Sequence, residues 1–299
     1  MRYGIIDIGS NTIRFKIYDY KHGKVKNLIS KKRTAGLISF KENGKLNSEG
    51  IQELVSTLKK FQKYMKALDV DETCYFATAS LRNIKNTKKV LKVVKKKLNI
   101  DINVLSSAQE ANLSFEAIKE EDLDRTDGIL VDVGGGSSEI TIFENKKPVE
   151  ELSLPIGSLL IYEEYVSVMF PNEKEIKQIR KRVLKELKKK NIKKYHKDML
   201  FGVGGTVRTI KKILKHLNLK ENNTPVIPIR LLDELLQELS HNKKEDFNKI
   251  LQIKAERIHT LIPGIIIIKT IAEYFEIKQL HVSNYSIREG VLYSIIENS

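Results

Sequence analysis

The sequence predicts an α/β protein built from two related domains, and three observations carry that prediction. A strand–loop–strand–turn–strand pattern occurs twice, from Tyr3 to Thr34 and from Gly128 to Leu154. In each copy the first strand ends on an aspartate, an aliphatic residue and a glycine: Asp7-Ile8-Gly9 and Asp132-Val133-Gly134. Around the copies, apolar residues recur at helical spacing, so strands and helices alternate. Internal duplication of one strand–helix unit accounts for all three. At 299 residues the chain can hold two domains with separate cores.

In the first copy, strands are predicted from Tyr3 to Ile8, Ile13 to Tyr20 and Val25 to about Thr34, with a turn at His22-Gly23. Ile51, Leu54, Val55, Leu58, Phe61, Met65 and Leu68 then mark a long helix capped by Asn47 or Ser48. A strand follows near Thr73 to Ala77. Next comes a helix with Lys85, Lys88, Lys89, Lys92, Lys95 and Lys96 on one face and Val90, Leu91, Val94 and Leu98 on the other. A strand near Ile102 to Leu105 and a helix from about Ala108 to Lys119 complete the copy. The acidic stretch Glu120-Glu121-Asp122-Leu123-Asp124 reads as a linker. The second copy has strands at Gly128 to Val133, Ser138 to Phe143 and Val149 to Leu154, with a turn at Asn145 to Pro148. Helices are expected at Glu173 to Lys190, Val207 to Leu217, Leu231 to Leu239, Pro263 to Phe275 and Ser286 to Glu297. Two more strands are expected at Met199 to Val203 and Gln279 to Ser283.

Composition narrows the function classes. The hydrophobic and charged fractions, 41% and 30%, are those of a soluble globular protein. The single cysteine, Cys74, excludes an intrachain disulfide and a cysteine-based zinc site, and in Thr73-Cys74-Tyr75-Phe76-Ala77 it reads as a buried structural thiol. Asp7 interrupts the first apolar run, so no signal peptide is expected. The longest apolar run, Leu261 to Ile268, is too short for a bilayer. A cytoplasmic protein without membrane partners is the expectation. The net charge of +15 favours polyanionic partners, although a lysine-rich solvated surface accounts for it equally. The basic helix lacks interleaved aromatics, so no stable nucleic-acid complex is expected.

Two loops carry the candidate chemistry. In Asp7-Ile8-Gly9-Ser10-Asn11-Thr12 and Asp132-Val133-Gly134-Gly135-Gly136-Ser137, glycines allow positive φ and close approach, and successive amides form a concavity for anions. Hydroxyl and amide side chains of Ser10, Asn11, Thr12, Ser137 and Ser138 add donors. Either loop alone reads as a plain turn; the match between them is the specific signal. Asp7, Asp132 and Glu139 are candidate Mg²⁺ carboxylates, since Mg²⁺ takes a few carboxylates with waters and phosphates. Glu139 reads equally as an exposed position on an alternating strand. A third turn, Gly202-Val203-Gly204-Gly205-Thr206, precedes a helix whose N-terminus suits a phosphate, although a plain turn is the simpler account. By position alone, Glu110 is a carboxylate suited to a positive helix end.

Five motifs occur in order: Asp7 to Thr12 with Arg14, Ala77-Thr78-Ala79-Ser80-Leu81-Arg82, Asp132 to Glu139, Gly202 to Thr206, and Arg288-Glu289-Gly290-Val291-Leu292-Tyr293. Together they resemble the exopolyphosphatase/guanosine pentaphosphate phosphohydrolase family, a branch of the superfamily of actin, sugar kinases and heat-shock chaperones. The resemblance runs from Tyr3 to about Ile296. It implies two actin-like (ribonuclease H-like) domains, each a mixed five-stranded sheet flanked by helices, with an interdomain cleft. The expected division is 1–121 and 122–299, with the helix at 286–299 packing back on the first domain and no extra C-terminal domain.

The resemblance also implies roles. Glu110 falls on the family's catalytic glutamate. Asp132 and Glu139 fall on its Mg²⁺-associated carboxylates, with Asp7 a further candidate. Gly9 to Thr12, Gly134 to Ser138 and Gly204 to Thr206 fall on phosphate-binding loops, and Arg82 on an arginine facing the substrate. Mg²⁺, or another divalent or monovalent cation, is the implied cofactor, and a homodimer the assembly it admits. The implied activity is exopolyphosphatase hydrolysis of terminal phosphoanhydride bonds in inorganic polyphosphate. The alternatives are conversion of the guanosine alarmone pppGpp to ppGpp, or a regulator that binds either ligand without cutting it. A sugar kinase or an actin-like filament is a weaker rival. The sequence departs from the family in three places. Ser106-Ser107-Ala108-Gln109-Glu110 stands where Ser-Gly-Glu-Glu-Glu is usual, Ala35-Gly36-Leu37 lies where Arg-Leu-Gly is expected, and Asn284 replaces an aspartate.

Overall fold

The computed structural model of the protein describes residues 1–119, 121, 126–192, 195, 197–219, 224–239 and 244–297. The chain divides into two compact units: Met1–Glu110 with the residues from Val291 onward, and Ala111–Gly290. It leaves the first unit within one helix and returns to it within another. Most of the acidic stretch expected as a linker, with residue 122 on the far side of the expected boundary, lies outside the described residues, as does the end of the helix expected at 286–299.

In the first unit, β1 (Arg2–Ile8), β2 (Thr12–Lys21), β3 (Lys24–Thr34), β6 (Glu72–Ala77) and β7 (Asn103–Val104) form one sheet in the order β3-β2-β1-β6-β7. β1 pairs antiparallel with β2 and parallel with β6. A hairpin of β4 (Lys41–Glu42) and β5 (Lys45–Leu46) follows β3. Then come α1 (Ser48–Ala67), α2 (Ala79–Arg82) and α3 (Thr87–Leu98), and α4 (Ser107–Lys119) begins here and passes into the second unit at Ala111. Asn47 caps α1 by accepting from the Gly50 amide at 2.9 Å. The 3.6-residue period then turns Ile51, Leu54, Leu58 and Phe61 onto Ile6, Ile8, Ile13, Phe15 and Ile17 of the sheet, with Val90 and Val94 of α3 beside them. Lys85, expected on the basic helix face, precedes α3: its amide donates to the Gly44 carbonyl at 2.7 Å instead.

The second unit repeats the plan. β8 (Gly128–Val133), β9 (Ser138–Glu144), β10 (Lys147–Leu154), β11 (Met199–Val203) and β13 (Gln279–Val282) take the order β10-β9-β8-β11-β13, and β12 (Val226–Pro228) adds a sixth strand at the far edge. The strands match the first unit one for one, and β12 is the addition. Its helices are α5 (Ser158–Tyr165), α6 (Glu173–Lys189), α7 (Gly204–His216), α8 (Arg230–Leu239), α9 (Lys244–Lys254) and α10 (Leu261–Tyr274), and the chain leaves it after Gly290 within α11 (Ile287–Glu297). α10 is buried on all sides from Leu261 to Ala272, so the long apolar run is a core helix. Among the described residues, no helix is long and apolar enough to cross a membrane.

The β4–β5 hairpin, α5, α9 and β12 were not predicted from the sequence. The strands among them are two or three residues long, below any detectable alternation. α5, with eight residues, has apolar residues around most of its circumference. The Arg288-Glu289-Gly290 motif has a packing role in α11: a β-carbon on Gly290 would lie 1.9 Å from the Leu113 carbonyl oxygen of α4. Only glycine allows these helices so close.

Candidate functional site

Asp7 through Arg14 and Asp132 through Glu139 adopt the same structure twice. In each hairpin the glycine after the first strand donates to the carbonyl three residues on, Gly9 to Thr12 at 3.2 Å and Gly134 to Ser137 at 3.0 Å. The segment after the third strand of each sheet then ties the loop back. In the first unit, the amides of Ala35 and Gly36 donate to the Asn11 carbonyl at 2.9 Å each, and Ile38 donates to Ser10 at 3.0 Å. In the second, Ser158 donates to the Gly134 carbonyl at 2.8 Å, and Leu159 and Leu160 to Gly135 at 3.0 Å. With their carbonyls engaged, the loops have amide and side-chain donors left to offer, which is the polarity an anion needs.

A second clasp is also duplicated. The Ser80 hydroxyl, in the first turn after β6, donates to the Ile8 carbonyl, and Thr206, in the first turn after β11, donates to the Val133 carbonyl at 3.2 Å. Ser138 is fully buried and donates to the Ile156 carbonyl at 2.7 Å, so its hydroxyl, expected on a phosphate, serves the fold. Neither Gly9 nor Gly134 takes the left-handed φ anticipated for the loop glycines; Gly204 does, at +89°.

The two hairpins differ where it matters for a cation. Opposite Asp132, β9 places Glu139; opposite Asp7, β2 places Arg14. Cross-strand partners on one sheet face stand within side-chain reach, so the second unit pairs two carboxylates and the first opposes a carboxylate with a guanidinium. Glu139 is 3% exposed, which rules out the solvent-facing position considered for it, and Ser153 donates to its Oε1 at 3.3 Å.

The third glycine turn closes on Asp132. A β-carbon on Gly204 would lie 2.6 Å from Asp132 Oδ1, and one on Gly205 would lie 2.1 Å from a guanidinium nitrogen of Arg257. Arg257 also approaches the Thr206 hydroxyl, Nη1 to Oγ1 at 3.4 Å. Gly264 on α10 packs so tightly here that a β-carbon would meet Thr206 Cγ2 at 2.5 Å and Ser158 Cβ at 3.6 Å. The first turns of α5, α7 and α10 therefore converge around Asp132 and the Gly134–Ser137 loop, a positive setting for an anion. Sequence reasoning missed Arg257, which follows Gly205 by some fifty positions and reaches it only through the tertiary fold.

Glu110 stands in the first turn of α4, 7% exposed. Ser106 and Gln109 form a reciprocal cap at that helix start: the Gln109 amide donates to Ser106 Oγ at 3.2 Å and the Ser106 amide to Gln109 Oε1 at 2.9 Å. Glutamine completes such a capping box as well as glutamate does, so this departure from the family leaves Glu110 presented by an intact cap. Arg82 at the end of α2 donates to Glu110 Oε2 at 2.7 Å and to the Leu105 carbonyl at 3.1 Å. The missing Arg-Leu-Gly has a similar explanation, because Ala35 to Ile38 hold the first loop through backbone amides. Cys74 is half-buried rather than buried, and desolvation pushes its thiol up to about 11, so it is a poor nucleophile.

A duplicated five-strand unit with an aspartate and a glycine loop on its first hairpin defines the two-domain actin-like fold. The sequence profile of the Ppx/GppA phosphatase family matches residues 16–299, and the chain belongs to that family. Exopolyphosphatase 1 of Mycobacterium leprae is 24% identical over 305 residues, covering 98% of this chain and 88% of the relative. The crystal structure of an exopolyphosphatase from Cytophaga hutchinsonii superposes with a TM-score of 0.89 at 23% identity, covering 100% of this chain and 98% of that one. The Ppx/GppA family member from Aquifex aeolicus superposes at 0.82 with 28% identity, covering 100% and 98%.

Proposed function

We propose that the protein is an exopolyphosphatase, removing the terminal phosphoryl group of inorganic polyphosphate with the help of Mg²⁺. The observation that carries this reading is the pair of tied-back loops, which leave donors for a phosphate chain in both units. The relative named exopolyphosphatase 1 and the +15 charge support a polyanionic chain as substrate.

The residues fit Mg²⁺. Asp132 and Glu139 stand opposite one another beside a glycine loop, and among the described residues no cluster of three or more His, Cys, Asp and Glu could hold a metal alone. Two carboxylates completed by water and phosphate oxygens suit Mg²⁺ better than a full protein cage. When bound, the ion would offset the negative charge of the phosphoryl oxygens. Asp7, opposite Arg14, is the weaker ligand candidate.

The loops and Arg257 bind and orient the terminal phosphates. Glu110 accepts a proton from the attacking water as its oxygen bonds to the terminal phosphorus. The bridging P–O bond breaks, and the shortened chain leaves with the electron pair. Arg82, 2.7 Å from Glu110 Oε2, fixes the orientation of that carboxylate. Glu110→Gln should lower turnover roughly 10²- to 10⁴-fold while sparing binding. The test is phosphate release from long polyphosphate, pppGpp and ATP in parallel, with and without Mg²⁺. Release from none of them would leave a binding protein; a Glu110→Gln enzyme at near-normal rate would remove Glu110 from the chemistry.

A further inference from the structure

The third strand gives the two duplicated hairpins different charge. In β10, Leu152 and Leu154 turn into the core of the second unit, so strand alternation puts Ser153 on the opposite sheet face. Register places Ser153 directly across from Glu139, which itself stands across from Asp132. The row across β8, β9 and β10 is therefore Asp132, Glu139 and Ser153. The matching row across β1, β2 and β3 is Asp7, Arg14 and Lys32. One structural plan thus carries two carboxylates and a hydroxyl in the second unit, and one carboxylate and two cations in the first.

Ser153 is half-buried, and its Oγ donates to Glu139 Oε1 at 3.3 Å. Glu139 is buried, so this bond forms where water competes little with the hydroxyl. The last torsion of a glutamate is broad, and a donor on one oxygen narrows it. A carboxylate held in this way is better aimed at a metal ion than one left to rotate. The donor is also neutral. A lysine at that place, as β3 has in Lys32, would hold the carboxylate but offset its charge, and ligand charge is what a hard cation needs. Serine fixes the orientation and leaves the charge.

We propose that Ser153 is a positioning residue for a divalent cation at Asp132 and Glu139, acting through the Glu139 carboxylate. The proposal rests on the metal-binding reading of that pair given above. Mn²⁺ takes the same oxygen ligands as Mg²⁺, and its free form is counted by spin resonance. Titrating Mn²⁺ alone, without phosphate, reads the site in the absence of turnover. Ser153→Ala should weaken Mn²⁺ binding about 10- to 100-fold. Ser153→Thr keeps the hydroxyl on a side chain that suits a strand and should stay near the parent. Ser153→Lys, which copies the first unit, should lose Mn²⁺ binding. Melting without metal should separate Ser153→Ala from the parent little. A hydroxyl that served only the fold would lower that melting point and leave Mn²⁺ affinity unchanged. Parental affinity in Ser153→Ala or Ser153→Lys, or no advantage of Ser153→Thr over Ser153→Ala, would each overturn the positioning role. If the unsubstituted protein binds no Mn²⁺, the metal reading of Asp132 and Glu139 falls, and the positioning role with it.

Discussion

Gly204→Ala tests the second-unit loops most directly, because two independent penalties meet at one methyl group. The backbone there has φ of +89°, which costs a residue with a side chain about 1–3 kcal/mol. The added β-carbon would also lie 2.6 Å from Asp132 Oδ1, against an ordinary contact of 3.4 Å or more, so the carboxylate must retreat by about 0.8 Å. If Asp132 holds the cation, that retreat would weaken cation binding beside the glycine loop. A displacement of about 1 Å in a catalytic group can lower the rate by about 10²-fold. The expectation is a folded variant destabilised by about 1–3 kcal/mol, with phosphate release down about 10- to 100-fold and a higher Mg²⁺ concentration for half-maximal rate. Calorimetric melting reads the first effect and a Mg²⁺ titration of phosphate release the second. A destabilised variant with unchanged rate and unchanged Mg²⁺ dependence would refute the assignment of Asp132.

Other substitutions probe the frame. Gly290→Ala should lower stability by about 2 kcal/mol or more, since its β-carbon would sit 1.9 Å from the Leu113 carbonyl, and chemical denaturation would show it; a variant as stable as the parent refutes that helix contact. Glu186, 4% exposed on α6, has its carboxyl held below the usual range chiefly by the Lys189 hydrogen bond, with Arg182 adding to the effect. A depressed folded-state pKa contributes stability above the unfolded value and loses it as pH falls through the folded one. Glu186→Gln should therefore cost more stability at pH 7 than in acid, and denaturation at the two pH values compares them. Raising salt should inhibit hydrolysis of long polyphosphate more than that of tripolyphosphate, because screening weakens many distant lysines at once. Equal salt dependence in rate assays would count against surface charge as a guide for the chain.

Much of the fold is legible in local pattern. The α1 face that buries Leu54, Leu58 and Phe61 appears in the sequence as a 3.6-residue period. The paired hairpins appear as a repeated aspartate, aliphatic and glycine. These signals survive because each arises from a few adjacent residues. The α5 helix and β12 left no such mark. The candidate site is legible at Asp132, Glu139 and the glycine loops for the same reason. Glu110 drew attention through family resemblance alone, since a glutamate in the first turn of a helix is common.

The sequence by itself determined that two strand–loop–strand copies exist and which carboxylates and glycines end their strands, because hydrophobic periodicity and turn chemistry act over a few residues. Only the tertiary structure decided what those residues meet. It placed Glu139 opposite Asp132 but Arg14 opposite Asp7, so the duplicated hairpins differ in charge. It brought Arg257 to Gly205 and pressed Gly204 against Asp132. It also committed the hydroxyls of Ser138 and Thr206 to backbone carbonyls. Those outcomes depend on strand register and on contacts between distant segments, and no local pattern in the chain encodes them.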